Sequence, residues 1–451
     1  MRQKRSCIKI KNIFIFSFVF LFTFYNGAPS DAAGSGDEIV KSNSSPLVFS
    51  RIVHDPSKIG ELEGEKFNIF ASMYFWQAEA KKLAIFRPNL QSYLALESYP
   101  FTPLEVKSDG TAYTIGGKCS AVIAGMSSCS AVIEEKIGSK IYDTLPSPGY
   151  LDNHELRVDN KGNFWAIRYL DYPANYFPEL FRNSRTSELA SYKVDRVSDC
   201  EIVRFDRSGN INYRWSALSY LPQSELRDLV WKQNPTGVVK TGNDGLVYTD
   251  LFHCNSIDVN NNEKSFLISA RHTDSIYEID IESKNVNWKL GGNYWKGKSL
   301  KVIQSPKVQK FSNVLFSGQH DARYVNSNQV SVFDNSTNLK RPARGILFKI
   351  NSKDRSASII NNFSDPSGSS SGCTGSFRKI IGKKIWFVAG WGCSASGITV
   401  FDAQGGGVVS LNIAEVEEND SFRPIIPIAN TRSMISYRVT PHNLNFPLKF
   451  P

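Results

Sequence analysis

The sequence predicts an all-β protein, and specifically a β-propeller of six blades, each a four-stranded antiparallel sheet. Three observations lead there. Short runs of alternating apolar and polar residues, each of strand length, recur along the 451 residues. Clusters of Asn, Asp, Gly and Ser separate them, as turns require. After residue 150 two kinds of hairpin alternate, and two hairpins make one blade.

The chain begins with a targeting pattern. Arg2, Lys4, Arg5, Lys9 and Lys11 precede an apolar run from Ile13 to Tyr25. That run is short for a membrane-spanning helix, which needs about 20 residues. Ser30 and Ala32 suit a signal-peptidase site, so residues 1–32 are expected to be a cleaved secretory signal. The alternative is an uncleaved anchor, since Ile8 and Ile10 lengthen the run, and only then would a membrane be a partner. Residues 33–46, rich in Gly, Ser and Asp, are expected to be a flexible linker.

Residues 47–150 form an N-terminal β region, either the first blades or a small separate β domain. Its strands are LVFSRIV, FNIFASMYFW, KLAIFRP, YLALESY, TAYTIGG and SAVIEE. Residues 151–451 form the main propeller. HELRVDNKGNFWAIRY places a histidine, His154, ahead of a strand, a turn and a second strand. FHCNSIDV with FLISA repeats this after His253, and QHDARYV with QVSVFDN after His320. The second hairpin type carries an Asp-rich or Gly-rich turn: CEIVRFDRSGNINYRW, IYEIDIESKNVNWKLGG, ILFKINSKDRSASIINNF and ITVFDAQGGGVVSLNI. Residues 218–232 are the one helical candidate, with Ser224 as N-cap.

Of six histidines, His154, His253 and His320 thus share one repeat position, at the mouth end of a blade's innermost strand. That recurrence argues against isolated turn caps and, with the resemblance described next, points to His253 and His320 as functional, while His154 keeps turn capping as its alternative.

The strings HCNSI, LISARHTDSIYEID, NWKLGG, GQHDAR and VFDN, in this order, resemble the arylsulfotransferase family, over roughly His154 to Arg438. The resemblance implies a propeller that moves a sulfuryl group from a phenolic sulfate ester to a phenolic acceptor at the channel mouth. It implies His253 and His320 as catalytic residues. It also implies an arginine after the VFDN strand, for which Arg344 is the choice and Arg341 the alternative. Imidazoles and a guanidinium suit the three sulfonyl oxygens. Asn255, Asn335 and His154 are candidate substrate contacts, and His272 and His442 further candidates. Arg271 and Asp274 are expected to pair structurally, and Asp321 is placed to orient an imidazole. The chain departs from the family in one respect. A histidine nucleophile belongs in the blade after QHD, yet no histidine lies between 321 and 441. A catalytically inactive propeller that binds a ligand or a protein is therefore the alternative function.

Composition narrows the rest. The formal net charge is +10, and removal of residues 1–32 takes five basic residues and Asp31 and leaves +6, spread along the chain. This is a solvated surface and not a nucleic-acid face. No Gly-rich loop opens a helix, so no nucleotide sulfate donor is expected. Apart from Cys7, six cysteines remain, and an even number in an exported chain suggests disulfides. The local pairing is Cys119–Cys129, Cys200–Cys254 and Cys373–Cys393. No Cys/His cluster has structural zinc spacing, and no metal or cofactor is assigned. The expected location is secreted or extracytoplasmic. Sequons at Asn43, Asn335, Asn362 and Asn419 suggest glycosylation.

Overall fold

The computed structural model describes residues 67–75, 81–86, 93–96, 104–121, 127–137, 142–181, 193–227, 239–242, 244–303, 314–337, 339, 341–364, 371–379, 386–390, 411–416, 422–428 and 434–443. All belong to the unit spanning Pro46–Pro451. The expected signal and linker lie outside them. So do the strand at 47–53, Cys393, and the sequons at Asn43 and Asn419.

The described strands form six sheets, and the chain is a β-propeller. The first contains β1 (Phe67–Phe75), β2 (Lys81–Phe86) and β3 (Tyr93–Leu96). The second runs β4 (Leu104–Val106), β5 (Thr111–Ala121), β6 (Ser127–Lys136), β7 (Tyr142–Asp152). The third orders β8 (Leu156–Val158), β9 (Phe164–Pro173) and β10 (Arg196–Phe205) from the centre outward. Its outer edge is shared. β11 (Ile211–Ser216) pairs antiparallel with one half of β10, while β13 (Val247–Asp250), edged by β12 (Val239–Thr241), pairs parallel with the other.

The fourth sheet is a plain meander of β14 (Cys254–Val259), β15 (Ser265–Ala270), β16 (Ser275–Asp280) and β17 (Val286–Gly291). The fifth has a short parallel strand, β18 (Lys301–Ile303), outside β19 (His320–Asn326), β20 (Gln329–Asp334), β21 (Arg344–Asn351) and β22 (Ser356–Ser364). The sixth runs β23 (Ser376–Lys379), β24 (Trp386–Gly390), β25 (Leu411–Val416), β26 (Phe422–Ile428). β27 (Met434–Asn443) then returns to pair antiparallel with β1 and becomes the innermost strand of the first sheet. The ring is therefore closed by backbone hydrogen bonds between distant parts of the chain.

Sheets pack face to face because strand side chains alternate. On β15, Phe266 and Ile268 face the third sheet, beside Trp165, Ile202 and Trp215. Leu267, between them, faces the fifth, beside Val330, Val332 and Ile346. Tyr113, Ile115 and Val132 meet Phe164, Ala166 and Phe205 between the second and third sheets. Each such buried side chain contributes roughly 1.5–3 kcal/mol.

Of the helix foreseen at 218–232, the described part is two short helical segments, Ala217–Tyr220 and Gln223–Arg227, and residues 228–232 lie outside the described residues. The cap of the first is Ser216, whose side chain accepts from the Ser219 amide, and Ser224 lies inside the second. The strand ITVFD of the last expected hairpin lies outside the described residues, and the described end of VVSLNI belongs to β25, which pairs with β24 and β26. The turn at 405–407 lies outside the described residues.

The centre of the ring is plugged by charge. Glu105 on β4 pairs with Arg157 on β8 at 2.7 Å, and Arg157 reaches Asp258 on β14 at 3.3 Å. Arg323 on β19 binds Glu155, and lies 2.9 Å from Asp321. Arg378 on β23 lies 2.6 Å from Asp321. Arg438 on β27 lies 3.0 Å from Glu155 and 3.1 Å from Asp321. Every sheet thus contributes from its innermost strand or that strand's approach, and four carboxylates meet four guanidiniums. Asp321, which the sequence suggested as an imidazole partner, belongs to this plug. The cations around Asp321 hold its carboxyl far below the usual carboxylate range despite full burial.

Candidate functional site at the histidine end of the channel

At one end of the plug the chain enters three successive innermost strands, and the predicted histidines stand there. His154 precedes β8, His253 precedes β14 and His320 opens β19. The backbone is sharply turned at these entries. His253 (φ 51°), Asp321 (φ 59°) and Thr374 (φ 62°) all occupy the left-handed region that non-glycine residues rarely adopt. At Asp321 this twist directs neighbouring side chains apart, with His320 toward the mouth and Asp321 into the plug.

An aspartate holds each of the first two histidines. Asp152, the last residue of β7, accepts from the His154 amide at 2.9 Å and faces His154 Nδ1 at 2.5 Å. Asp250, the last residue of β13, does the same for His253, with 2.9 Å to the amide and 2.6 Å to Nδ1. A third imidazole joins from the turn after β15. His272 donates from Nδ1 to the backbone carbonyl of Asp250 at 2.7 Å. Its ring stacks on His253 with centroids 4.5 Å apart, and His154 meets His253 edge-on at 5.0 Å. His320 donates from Nδ1 to the Gly318 carbonyl at 2.9 Å and to Asn335 Oδ1 at 2.8 Å. Gly318 has φ 62°, and a Cβ there would collide with Thr337.

These partners fix the tautomers. Carbonyls and carboxylates only accept, so in all four rings Nδ1 carries a proton, and in His253, His272 and His320 Nε2 carries the lone pair. Burial pushes His253 and His320 well below the usual imidazole range. It takes His272 down to about 3, with His253 adding to the effect. His154, Arg271 and Lys240 act the same way on His253, and Arg271, His154 and His253 on His320. At neutral pH these three rings are uncharged bases, not the protonated donors that a buried anion site invites.

The other predicted residues fall as follows. Asn255 and Asn335 stitch sheets together: Asn255 Nδ2 donates to the Gln319 carbonyl at 2.7 Å, and Asn335 Nδ2 to the Thr374 carbonyl at 2.7 Å. Asn335 is fully buried with its amide nitrogen engaged, so that sequon is not presented as a glycan acceptor. Arg344 and Arg341 each lie 2.9 Å from Asp334 Oδ2 and also bind loop carbonyls. They anchor the residue next to Asn335. Arg271, expected to pair with Asp274, donates to the Gly372 carbonyl, while Asp274 accepts from the Gly318 amide at 2.7 Å. His442 lies on β27 opposite Asn68, and its side chain is outside the described residues. Two disulfides form as expected, Cys119–Cys129 and Cys200–Cys254. Cys373 is also disulfide-bonded. The second of these bridges ties β14 to β10 at the residue after His253.

Sequence reasoning missed the two aspartates and the central place of His272. A signal was present: an aspartate stands two or three residues ahead of His154 and His253.

The inner-strand entries of this propeller thus carry histidines, two of them held by aspartates. The profile of the arylsulfotransferase (ASST) family matches residues 122–410, and the chain belongs to that family. It is arylsulfotransferase-like in function in that general sense. No curated protein matches it. Among solved structures it is similar to TolB from Acinetobacter baumannii, at 8% identity and TM-score 0.42, covering 82% of this chain and 66% of that one. It is similar to a putative 6-phosphogluconolactonase from Bacteroides uniformis ATCC 8492, at 8% and 0.40, covering 83% and 99%. The β-propeller domain of Cps50 (Swd1) from Myceliophteria thermophila gives 9% and 0.37, covering 76% and 79%.

Proposed function

We propose that the chain is an exported enzyme that moves a sulfuryl group from a phenolic sulfate ester to a phenolic acceptor, with His253 as the group carrier. One observation supports this above the others. Asp250 holds His253 Nδ1–H, which leaves the Nε2 lone pair of an uncharged imidazole as the nucleophile. In this reading Nε2 attacks sulfur, the S–O(aryl) bond breaks, and phenoxide leaves to be protonated. An acceptor phenol oxygen then attacks the same sulfur, the S–N bond breaks, and the acceptor's proton is released. His253 takes the part that the family gives to the histidine missing after residue 321.

His320 and His154 line the same end; His320, an uncharged base, is the candidate to take the acceptor phenol's proton, and the leaving phenoxide takes its proton from water. Arg271 is the cation that bears on both His253 and His320, so it is assigned to the sulfonyl oxygens. Arg344 acts one step back, through Asp334 and Asn335 on His320. Three disulfide-bonded cysteine sites suit an extracytoplasmic location. Among the described residues no helix is long and apolar enough to cross a membrane.

The test is mature protein with p-nitrophenyl sulfate and a second phenol. The expected result is p-nitrophenol release that depends on acceptor. Quenching without acceptor should leave one added sulfuryl group on the peptide containing His253. No release from folded protein would favour the ligand-binding propeller instead.

A further inference from the structure

We infer that Asp274 is a positioning residue: it holds Gly318, and Gly318 holds His320. His320 opens β19 of the fifth sheet, but the residues just ahead of it are fastened to the fourth. Asp274, between β15 and β16, accepts from the Gly318 amide at 2.7 Å. The Gly318 carbonyl in turn accepts from His320 Nδ1 at 2.9 Å. Gln319 fixes the next peptide. Its Nε2 donates to the Ala270 and Ser275 carbonyls, at 2.9 Å each, and its own carbonyl accepts from Asn255 Nδ2 at 2.7 Å. The imidazole of His320 therefore takes its place from the sheet that carries His253.

Asp274 also acts through its backbone. It sits at φ 46° and closes the short turn Arg271–Thr273, donating its amide to the Arg271 carbonyl at 3.3 Å. That turn carries Arg271 and His272. Gly291 packs against it so closely that a Cβ there would lie 2.5 Å from the Asp274 carbonyl oxygen. One residue thus sets two parts of the mouth, Arg271 and His272 through its backbone and His320 through its carboxyl oxygen. The second link matters for chemistry. The acceptor at Nδ1 decides which ring nitrogen keeps the proton, and the Gly318 carbonyl is an acceptor only while its peptide keeps this orientation. Asn335 Oδ1, at 2.8 Å, is the other acceptor for the same proton. His320 is therefore held from the fourth sheet through Asp274 and from its own sheet through Asn335.

The link between Asp274 and His320 holds whether or not sulfuryl transfer occurs. Its effect on turnover rests on the functional reading above, in which His320 takes the acceptor phenol's proton.

The experiment is nuclear magnetic resonance on the mature chain, labelled with ¹⁵N at its six histidines. His320→Gln assigns the ring signal of His320. In the wild type that ring is expected to be neutral and protonated at Nδ1. Gly and Asn both suit a left-handed backbone position, so either can replace Asp274 and spare the turn. Asp274→Gly removes the acceptor. The His320 Nδ1 proton should then exchange with water roughly tenfold faster, as loss of one hydrogen bond allows, and a form protonated at Nε2 should appear beside the first. Asp274→Asn keeps an oxygen for the Gly318 amide and should give the wild-type spectrum. With p-nitrophenyl sulfate and a phenol, kcat should follow the ring. It should fall about 10- to 100-fold in Asp274→Gly with KM little changed, and return in Asp274→Asn. A folded Asp274→Gly whose His320 signal and exchange match the wild type overturns the inference, even if turnover falls. A wild-type His320 protonated at Nε2 overturns it whatever the variants do. Absence of turnover in the wild type counts against the functional reading alone, and the ring spectrum still decides the role of Asp274.

Discussion

The carboxylate of Asp250 lies 2.6 Å from Nδ1 of His253, and that contact decides which nitrogen of the ring does chemistry. An asparagine in its place can offer an N–H to Nδ1. That would transfer the imidazole proton to Nε2 and remove the lone pair. Asp250→Asn should therefore reduce turnover by roughly 10²- to 10⁴-fold, the upper end matching the same exchange in a Ser-His-Asp triad. Affinity for substrate and melting temperature should change little. Steady-state kinetics with a melting curve test this, and unchanged turnover would remove His253 as the carrier.

Arg271 and Arg344 are separable by what they touch. Arg271→Lys keeps the charge but loses the planar fork that spans two sulfonyl oxygens. Turnover should fall by roughly tenfold or more, beyond what loss of its bond to the Gly372 carbonyl takes from stability. Arg344 is buried against Asp334, and burial takes its guanidinium down to about 10. Arg344→Lys loses the bond to the Leu315 carbonyl and should cost roughly 1–3 kcal/mol of stability. A turnover loss in Arg344→Lys far beyond its stability loss would move Arg344 into contact with substrate.

The central plug gives a prediction about the fold. Arg438→Met leaves Glu155 and Asp321 short of one cation each in a buried setting. Breaking a buried pair from one side costs about 3–5 kcal/mol. Denaturant unfolding should show a loss of that size, with the midpoint lowered and the slope unchanged. A loss below about 1 kcal/mol would mean that water reaches these carboxylates.

His272 sets an acid limb on stability. Its imidazole protonates near pH 6.5 in the unfolded chain but only at about 3 in the fold. Below pH 6.5 the unfolded chain takes up a proton that the fold refuses, so stability falls as pH falls. The slope for this one group is about 1.4 kcal/mol per pH unit. Asp199 and Asp274, pushed up to about 7 by burial, act oppositely and favour the fold as pH falls from 7 toward 4. The informative quantity is thus a difference. Measured between pH 6.5 and 4, His272→Gln should lose its own stability less steeply than the wild type, by that slope. Parallel curves would show that His272 is not held uncharged.

Much of this was legible in the sequence, for a local reason. Strand alternation and turn residues are properties of ten or fifteen neighbouring residues, so the hairpins of β8–β9, β10–β11, β14–β15, β16–β17, β19–β20 and β21–β22 lay where the pattern put them. The shared position of His154, His253 and His320 followed from the same repetition. What the sequence hid depends on three-dimensional closure. Arg438 and Glu155 are 283 residues apart, and no periodicity links them. His272 looked like a strand end until the turn after β15 stacked it on His253. Asn335 read as a substrate contact or a sequon, though its amide lies between two sheets. The short parallel pairings of β13 with β10 and of β18 with β22 follow from the room left at sheet edges, which composition does not encode.

Because the first sheet borrows its innermost strand from β27, the ring cannot close until the last described strand has been made. Glu155 and Asp321 are made long before Arg438, the cation that spans them. A chain emerging from a ribosome or an export channel therefore carries two carboxylates at its centre that wait for their partner. Every earlier sheet can pair its own backbone in the meantime, but the seam cannot close. Folding of this protein to a sealed ring consequently waits for β27, and a chain cut short before residue 434 is an open arc with a charged core.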